Sequence, residues 1–197
     1  MSSVQRQIEH QAVSQPAAPA VISQNGAITY RDLNLRANAV ARRLVAHGVR
    51  RGSTVVVKMD KSADAATVLL AVLKAGAAYM WLDAEAASAW PCGISFREQS
   101  GAEERWKTLD LRAVLSAAQP TPNLPILTRG TDIACVLPAD NGAPGVLVPH
   151  ETITGLQVSV TEPAHWNGDP GALGLLVGLM SGATVSITGA RAAVAAA

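Results

Sequence analysis

Residues 54–82 hold the pattern that most restricts how this chain can fold. Thr54-Val-Val-Val57 is short and β-branched, which is the composition of a buried strand. Ser62 then stands where a helix N-cap belongs, and the helix it opens reaches Gly76 with an almost wholly apolar stretch from Val68 to Leu73. Ala78-Tyr-Met-Trp-Leu82 supplies the next strand. A helix that is apolar on most sides and set between two strands has to be buried between layers, so the unit reads as strand, crossover helix, parallel strand. The expected class is α/β, with a mostly parallel sheet flanked by helices.

The rest of the chain is read around that unit. Val4, Ile8 and Ala12 recur at helical spacing before Pro16 and Pro19 close the segment, so residues 1–19 are expected as a leading helix and extended piece ahead of a single domain over 20–197. Residues 20–23 and 27–29 read as a hairpin signalled by Asn25-Gly26. Thr29, with Asp32 three positions on, is a helix start, and Leu33, Ala37, Val40, Ala41 and Leu44 share one face that ends at Gly48. Between Asp83 and Lys107 the periodicity fails and an irregular connection is expected. Thr108 is expected to cap a third helix carrying Leu111, Val114, Leu115 and Ala118, before Pro120, Pro122 and Pro125 impose an extended linker. Beyond His150 the pattern predicts a helix through Ile153, Leu156 and Gln157, a loop over 162–171, an apolar helix over 172–180 stopped by Ser181-Gly182, and a last strand over 184–187.

Sixteen Lys and Arg against 15 Asp and Glu, read as mixed along the chain, give no electrostatic reason to expect a nucleic acid or an anionic membrane as partner. No run reaches the ~18 apolar residues of a membrane span, and the N-terminus has no apolar signal core, so a cytoplasmic protein is expected. Cys92 and Cys135 lack metal-ligand spacing and read as buried or reduced thiols; no metal site is expected. The stretch that bears on chemistry is residues 132–150, which read as strand, tight loop, strand. Such a loop can hold a phosphate when glycines let backbone N–H groups converge and a lysine or hydroxyl adds charge and direction. Gly142, Pro144 and Gly145 are present, but between Val136 and His150 there is no lysine, serine or threonine, and Asp140 would repel a phosphate. His150 beside Glu151 reads as a helix-start or core histidine, because adjacent side chains do not converge. His10, His47 and His165 read as surface residues, and Trp81, Trp90, Trp106 and Trp166 as packing.

Ile28-Thr-Tyr-Arg-Asp-Leu-Asn-Leu-Arg-Ala-Asn38 resembles the opening L-T-Y-x-E-L-N-x-R-A-N of the adenylation domains of nonribosomal peptide synthetases, members of the acyl-adenylate-forming, AMP-binding enzymes. Leu73-Lys-Ala-Gly-Ala-Ala-Tyr-Met-Trp-Leu-Asp83 resembles their L-K-A-G-x-A-Y-x-P-L-D. The resemblance returns at Asp132, where Gly142-Ala-Pro-Gly145 and His150 match the family's phosphate loop while its T-S-G-T-T portion is replaced by residues 138–141 and its lysine is missing. Further on it places Asp169 where family members that use amino acids hold the substrate amino group, with Gly168 in place of an aromatic neighbour; Gly168-Asp169-Pro170-Gly171 is also an ordinary turn. By resemblance, the fold is the N-terminal part of the large adenylation subdomain. The later nucleotide-binding segments and the small subdomain with its catalytic lysine would fall beyond Ala197, so the resemblance implies a truncated, degenerate domain. It has a vestigial phosphate loop at Gly142, Pro144 and Gly145, a vestigial amine site at Asp169, no catalytic residue and no cofactor. The expected role is a non-catalytic pseudo-adenylation module docked on synthetase modules such as a condensation domain, or on a second copy. The alternative is an amino-acid-activating, acyl-AMP-forming enzyme or a fragment of one.

Overall fold

The computed structural model describes residues 3–23, 26–83, 93–98, 105–110, 122–125, 128–138, 145–156, 164–166 and 170–187. In chain order the elements are α1 (Val4–Ser14), β1 (Pro19–Ser23), β2 (Gly26–Thr29), α2 (Tyr30–Ala46), β3 (Thr54–Met59), α3 (Ala63–Lys74), β4 (Ala78–Asp83), β5 (Gly93–Glu98) and β6 (Arg105–Leu109). They continue with β7 (Ile133–Leu137), β8 (Val146–Pro149), α4 (His150–Gly155), β9 (Ala164–His165), a 3-10 turn (Pro170–Ala172), α5 (Leu173–Ser181) and β10 (Val185–Ser186).

The strand–helix–strand unit is built as its composition requires. Ser62 accepts the Ala65 N–H at 3.0 Å to start α3, and every α3 residue from Ala65 to Lys74 is buried. β3 and β4 on either side of it pair in parallel from Thr54↔Ala78 to Met59↔Asp83. α2 packs along α3 and starts at Thr29, whose hydroxyl oxygen accepts the Asp32 N–H at 3.2 Å and donates to the Asp32 carboxylate at 2.9 Å. The α/β class holds, with two mixed sheets. One has the order β6-β5-β3-β4-β7-β8, parallel through β3, β4 and β7 and antiparallel outside them; the other has the order β2-β1-β10-β9.

α1 packs into the same core. Val4 and Ile8 are fully buried in one hydrophobic cluster with α2, α3 and α5 residues. Its polar side chains tie down distant backbone: Gln11 Nε2 donates to Met180 O and Gln15 Nε2 to Gly182 O, both at 2.9 Å, which caps carbonyls at the end of α5. Tyr30 completes that cap, its hydroxyl lying 2.8 Å from Ala183 O and 3.1 Å from Leu179 O. Glu9 of α1 forms a buried ion pair with Lys74 at the end of α3; the two side chains are 9% and 1% exposed. Burial pulls the Lys74 ammonium below its ordinary pKa, and the Glu9 charge opposes that.

Five sequence expectations are corrected. Residues 83–107 are not simply an irregular connection, because β5 pairs antiparallel with β3 and β6 with β5, extending the sheet on the β3 side. Thr108 caps no helix; it lies in β6, its hydroxyl 3.1 Å from that of Ser95 across the ladder, and the helix expected after it lies outside the described residues. Gly26 belongs to β2, where it pairs with Ser23, rather than to the turn; Asn25 lies outside the described residues. The loop expected over 162–171 contains β9, which pairs with β10, and α4 ends at Gly155 rather than continuing through Gln157.

Removing Glu9 leaves a buried ammonium without its counter-charge, so Glu9→Ala should cost about 3–5 kcal/mol in urea denaturation. A Glu9→Leu, Lys74→Met double variant, which removes both charges and keeps volume, should recover most of that loss. A Glu9→Ala cost under about 1 kcal/mol would show the pair to be effectively solvated.

Candidate functional site

The strand–loop–strand expected over 132–150 is present as β7 and β8, paired antiparallel from Ile133↔Pro149 to Leu137↔Val146. Gly142 and Pro144 lie outside the described residues. Gly145 is the first described residue of the return leg, and it must be glycine: a Cβ there would sit 2.6 Å from Leu137 O and 2.9 Å from Val136 Cγ1. The end of the loop is thus drawn tightly over the end of β7.

Asp169 also lies outside the described residues, but the turn that follows it is fixed. Gly171 adopts φ 76° and Ala172 φ 54°, two successive left-handed residues leading into α5. A Cβ at Gly171 would come within 2.2 Å of Leu137 Cδ2, so this turn too presses on the end of β7. Tyr79 of β4 donates its hydroxyl proton to Gly171 O at 2.5 Å from below. Gly145 and Gly171, the described residues that end the two segments singled out in sequence, therefore meet at Leu137. Neither Leu137 nor Tyr79 was singled out as a site residue, although Tyr79 sits inside the Ala75-Gly-Ala-Ala-Tyr79 motif that carries the resemblance.

The far end of the hairpin is closed by Asp132 and His150. His150 N–H donates to Asp132 O at 3.0 Å and Glu151 N–H to Gly130 O at 2.8 Å, where the chain enters α4. The Asp132 carboxylate accepts from Arg51 Nε at 2.9 Å, Arg51 Nη2 at 2.7 Å and the Arg129 N–H at 2.7 Å; the Arg51 hydrogen bond chiefly holds its pKa below the ordinary value. His150 is 1% exposed, and its Nδ1 accepts the Val4 N–H at 3.3 Å, which places the ring proton on Nε2. Burial pushes its pKa down to about 4. It is a neutral, helix-start core residue that pins α1 to α4, as its sequence context suggested. Glu151 is exposed beside it and no acid–base pair forms. His10, His47 and His165 are exposed, Cys135 is buried, and Trp81 packs on Trp166 with ring centroids 5.1 Å apart. Cys92 and Trp90 lie outside the described residues. Among the described residues no helix is long and apolar enough to cross a membrane, and no three His, Cys, Asp or Glu side chains gather as a metal site would need.

This arrangement of sheets and helices is the fold of an adenylation N-terminal subdomain. The chain superposes on the NpsA N-terminal subdomain of Klebsiella oxytoca, solved with 3-hydroxyanthranilyl-AMSN, with a TM-score of 0.74 at 20% identity, covering 95% of this chain and 54% of that one. It superposes on the nonribosomal peptide synthetase FmoA3, in its alpha-methyl-L-serine-AMP bound form, with a TM-score of 0.77 at 22% identity, over 95% of this chain and 24% of that one. Residues 8–90 match the model of the AMP-binding enzyme family. Over that region the chain is 46% identical across 81 residues to surfactin synthase subunit 2 of Bacillus subtilis, and 41% identical across 83 residues to tyrocidine synthase 1 of Brevibacillus parabrevis. Those matches take in 41% and 42% of this chain but only 2% and 8% of the two synthases.

The depressed His150 pKa makes stability depend on pH in a stated direction. Between the folded value of about 4 and the ordinary 6.5, the unfolded chain binds the proton and the folded chain does not. The contribution is complete above pH 6.5 and falls away as pH drops toward 4, by about 3 kcal/mol in all. Asp132 titrates beneath this window. Urea midpoints should fall from neutral pH to the acid end of the window in the parent chain and markedly less in His150→Gln; equal falls in both would assign the acid sensitivity elsewhere.

Proposed function

We propose that this chain is a non-catalytic adenylation-type domain that serves as a docking or structural module in nonribosomal peptide assembly, in the cytoplasm. The observation that carries the proposal is the chemistry of the loop between β7 and β8. From Leu137 to Pro149 it offers no lysine, serine or threonine to a phosphate, and it adds the carboxylate of Asp140. Backbone N–H groups alone would have to hold a triphosphate, whereas charge-assisted contacts are the strong ones and electrostatic stabilisation dominates phosphoryl chemistry. The relatives are large synthetases of which this chain matches a small part, which supports a role beside other synthetase domains, with a condensation domain or a second copy as the proposed partner.

A second reading, that the chain is part of an enzyme that activates an amino acid as its acyl-AMP, is favoured by one feature. The loop end at Gly145 and the turn at Gly171 converge on Leu137, as the walls of an adenylate pocket must. In that reading Asp169 would hold the substrate amino group and Gly142, Pro144 and Gly145 would form the phosphate loop.

Titration calorimetry with Mg-ATP, together with amino-acid-dependent pyrophosphate exchange, separates the two. The non-catalytic reading expects no saturable heat up to about millimolar ATP, which is weaker than about 4 kcal/mol of binding, and no exchange with any amino acid. Saturable exchange that depends on one amino acid overturns it.

A further inference from the structure

β8 is the last strand of the six-stranded sheet, and among the described residues no strand pairs with its outer side. Val146 and Leu147 fall on opposite faces of the sheet, and each is 60% exposed. A hydrophobic sheet edge open to water is a template for another strand, and the usual guards against that are charges, brevity or a cover. The other end strands offer less: β9 has 2 residues, the exposed residues of β2 are Gly26 and Ala27, and β6 carries Arg105 and Lys107. β8 has no charge to guard it. No Asp, Glu, Lys or Arg lies between Asp140 and Glu151, and the buried His150 is neutral.

The hairpin's own hydrogen bonds fix which way the backbone of β8 turns. His150 N–H donates to Asp132 O at 3.0 Å, so His150 faces inward, toward the neighbouring strand. In an antiparallel ladder residues alternate between facing that neighbour and facing away from it. Val148 and Val146 therefore also face β7, while Pro149, Leu147 and, with the alternation carried on, Gly145 turn their backbone groups outward. Proline has no N–H to offer. Leu147 is thus the residue of β8 that turns both a donor and an acceptor outward, with a donor two positions before it and an acceptor two positions after. Reversed, this edge is complementary to itself.

The geometry points to β8 pairing antiparallel with β8 of a second copy of this chain, about a two-fold axis at Leu147. In that register each Leu147 exchanges N–H···O=C bonds with its counterpart, and each Gly145 N–H donates to Pro149 O of the other copy, so no bond is asked of the missing proline N–H. The side chains match as well: Leu147 meets its counterpart on one face, and Val146 meets Val148 on the other. A neutral edge suits this occupant in particular, because pairing about a two-fold axis sets the residues at its centre opposite their own copies. The contact is small, so the dimer is a weak one, half-dissociated on the order of 10–100 µM. The inference deepens the docking reading, on which it rests for the partner, by naming the surface that a second copy takes.

Sedimentation velocity of the whole chain, from about 5 to about 500 µM, should show a monomer–dimer equilibrium. Leu147→Lys and Leu147→Glu should each weaken it by at least about tenfold, because like charges then meet across the axis. An equimolar mixture of those two variants should associate again, since opposite charges then face each other; an association that does not bring Leu147 against its counterpart gains nothing from mixing. Val13→Lys, on α1 at a residue 79% exposed, should leave the dimer unchanged. Circular dichroism of each variant confirms that the fold is intact. A chain that stays monomeric through that range overturns the assignment. So does a dimer that Leu147→Lys leaves as tight, one that Val13→Lys weakens equally, or a mixture that associates no better than its components. Retention of a condensation domain by a chain that is itself monomeric would overturn the pairing and leave docking standing. Pyrophosphate exchange by a chain that still dimerises through Leu147 would overturn the non-catalytic reading and support the pairing.

Discussion

Everything in this domain follows from having to cover α3 on all sides. An amphipathic helix needs one apolar neighbour and tolerates water opposite; α3 is buried from Ala65 to Lys74 and has no side to give to water. β3 and β4 cover it from the sheet, α2 lies along it, and α1 crosses it. A helix enclosed in this way has a problem at its end, where the chain must turn back and any polar side chain is enclosed too. Lys74 is that side chain, and Glu9 answers it from the element most remote in sequence among those that enclose α3. The ion pair is weak as a source of stability, since both charges were taken out of water to make it. Its value is positional: only one placement of α1 satisfies it.

The same enclosure sets where the candidate site lies. β4 leaves α3 with Tyr79 fully buried and its hydroxyl directed to Gly171 O, while the neighbouring parallel strand β7 delivers Leu137 to the same place. Two glycines then make the convergence possible, Gly145 because backbone crosses backbone there and Gly171 because a left-handed turn meets a leucine side chain. The packing about Leu137 is therefore set by β4, β7 and two glycines, while the segment from Leu137 to Pro149 carries no lysine, serine or threonine.

The parts of this architecture that were legible in the sequence are those in which one local signal suffices. Thr29 and Ser62 announced their helices because a hydroxyl accepting a nearby N–H is a contact within four residues. The burial of α3 showed in an unbroken apolar run, and the β7–β8 hairpin in two apolar runs about a Gly/Pro turn. β5 and β6 were missed although Ile94 and Phe96 alternate, because Ala/Ser runs, Pro91 and Gly93 precede them and because the strand on which β5 pairs, β3, is distant in sequence. Thr108 was misread for a related reason: a hydroxyl serves equally as a helix cap or as a cross-strand partner, and Ser95 decides between them only once β5 is in place. The meeting at Leu137 was not legible at all, since it joins residues more than 30 positions apart through a clash that only glycine avoids.

The capping of α5 by α1 also dictates an order of events when the chain is made. Gln11 and Gln15 emerge from the ribosome well before the carbonyls they bind, at Met180 and Gly182, which lie 169 and 167 positions further on. Until then Val4 and Ile8 have α2, α3 and α4 against which to collapse, and the face they present to α5 stays wet. Contacts with so large a sequence separation raise contact order and slow the final step. A nascent or prematurely ended chain would hold a nearly complete α2–α3–sheet unit with a loose amphipathic α1, the kind of surface on which chaperones and proteases act. Closure of α1 over α5 is thus the moment at which the chain registers that it has been translated at least to Ala183.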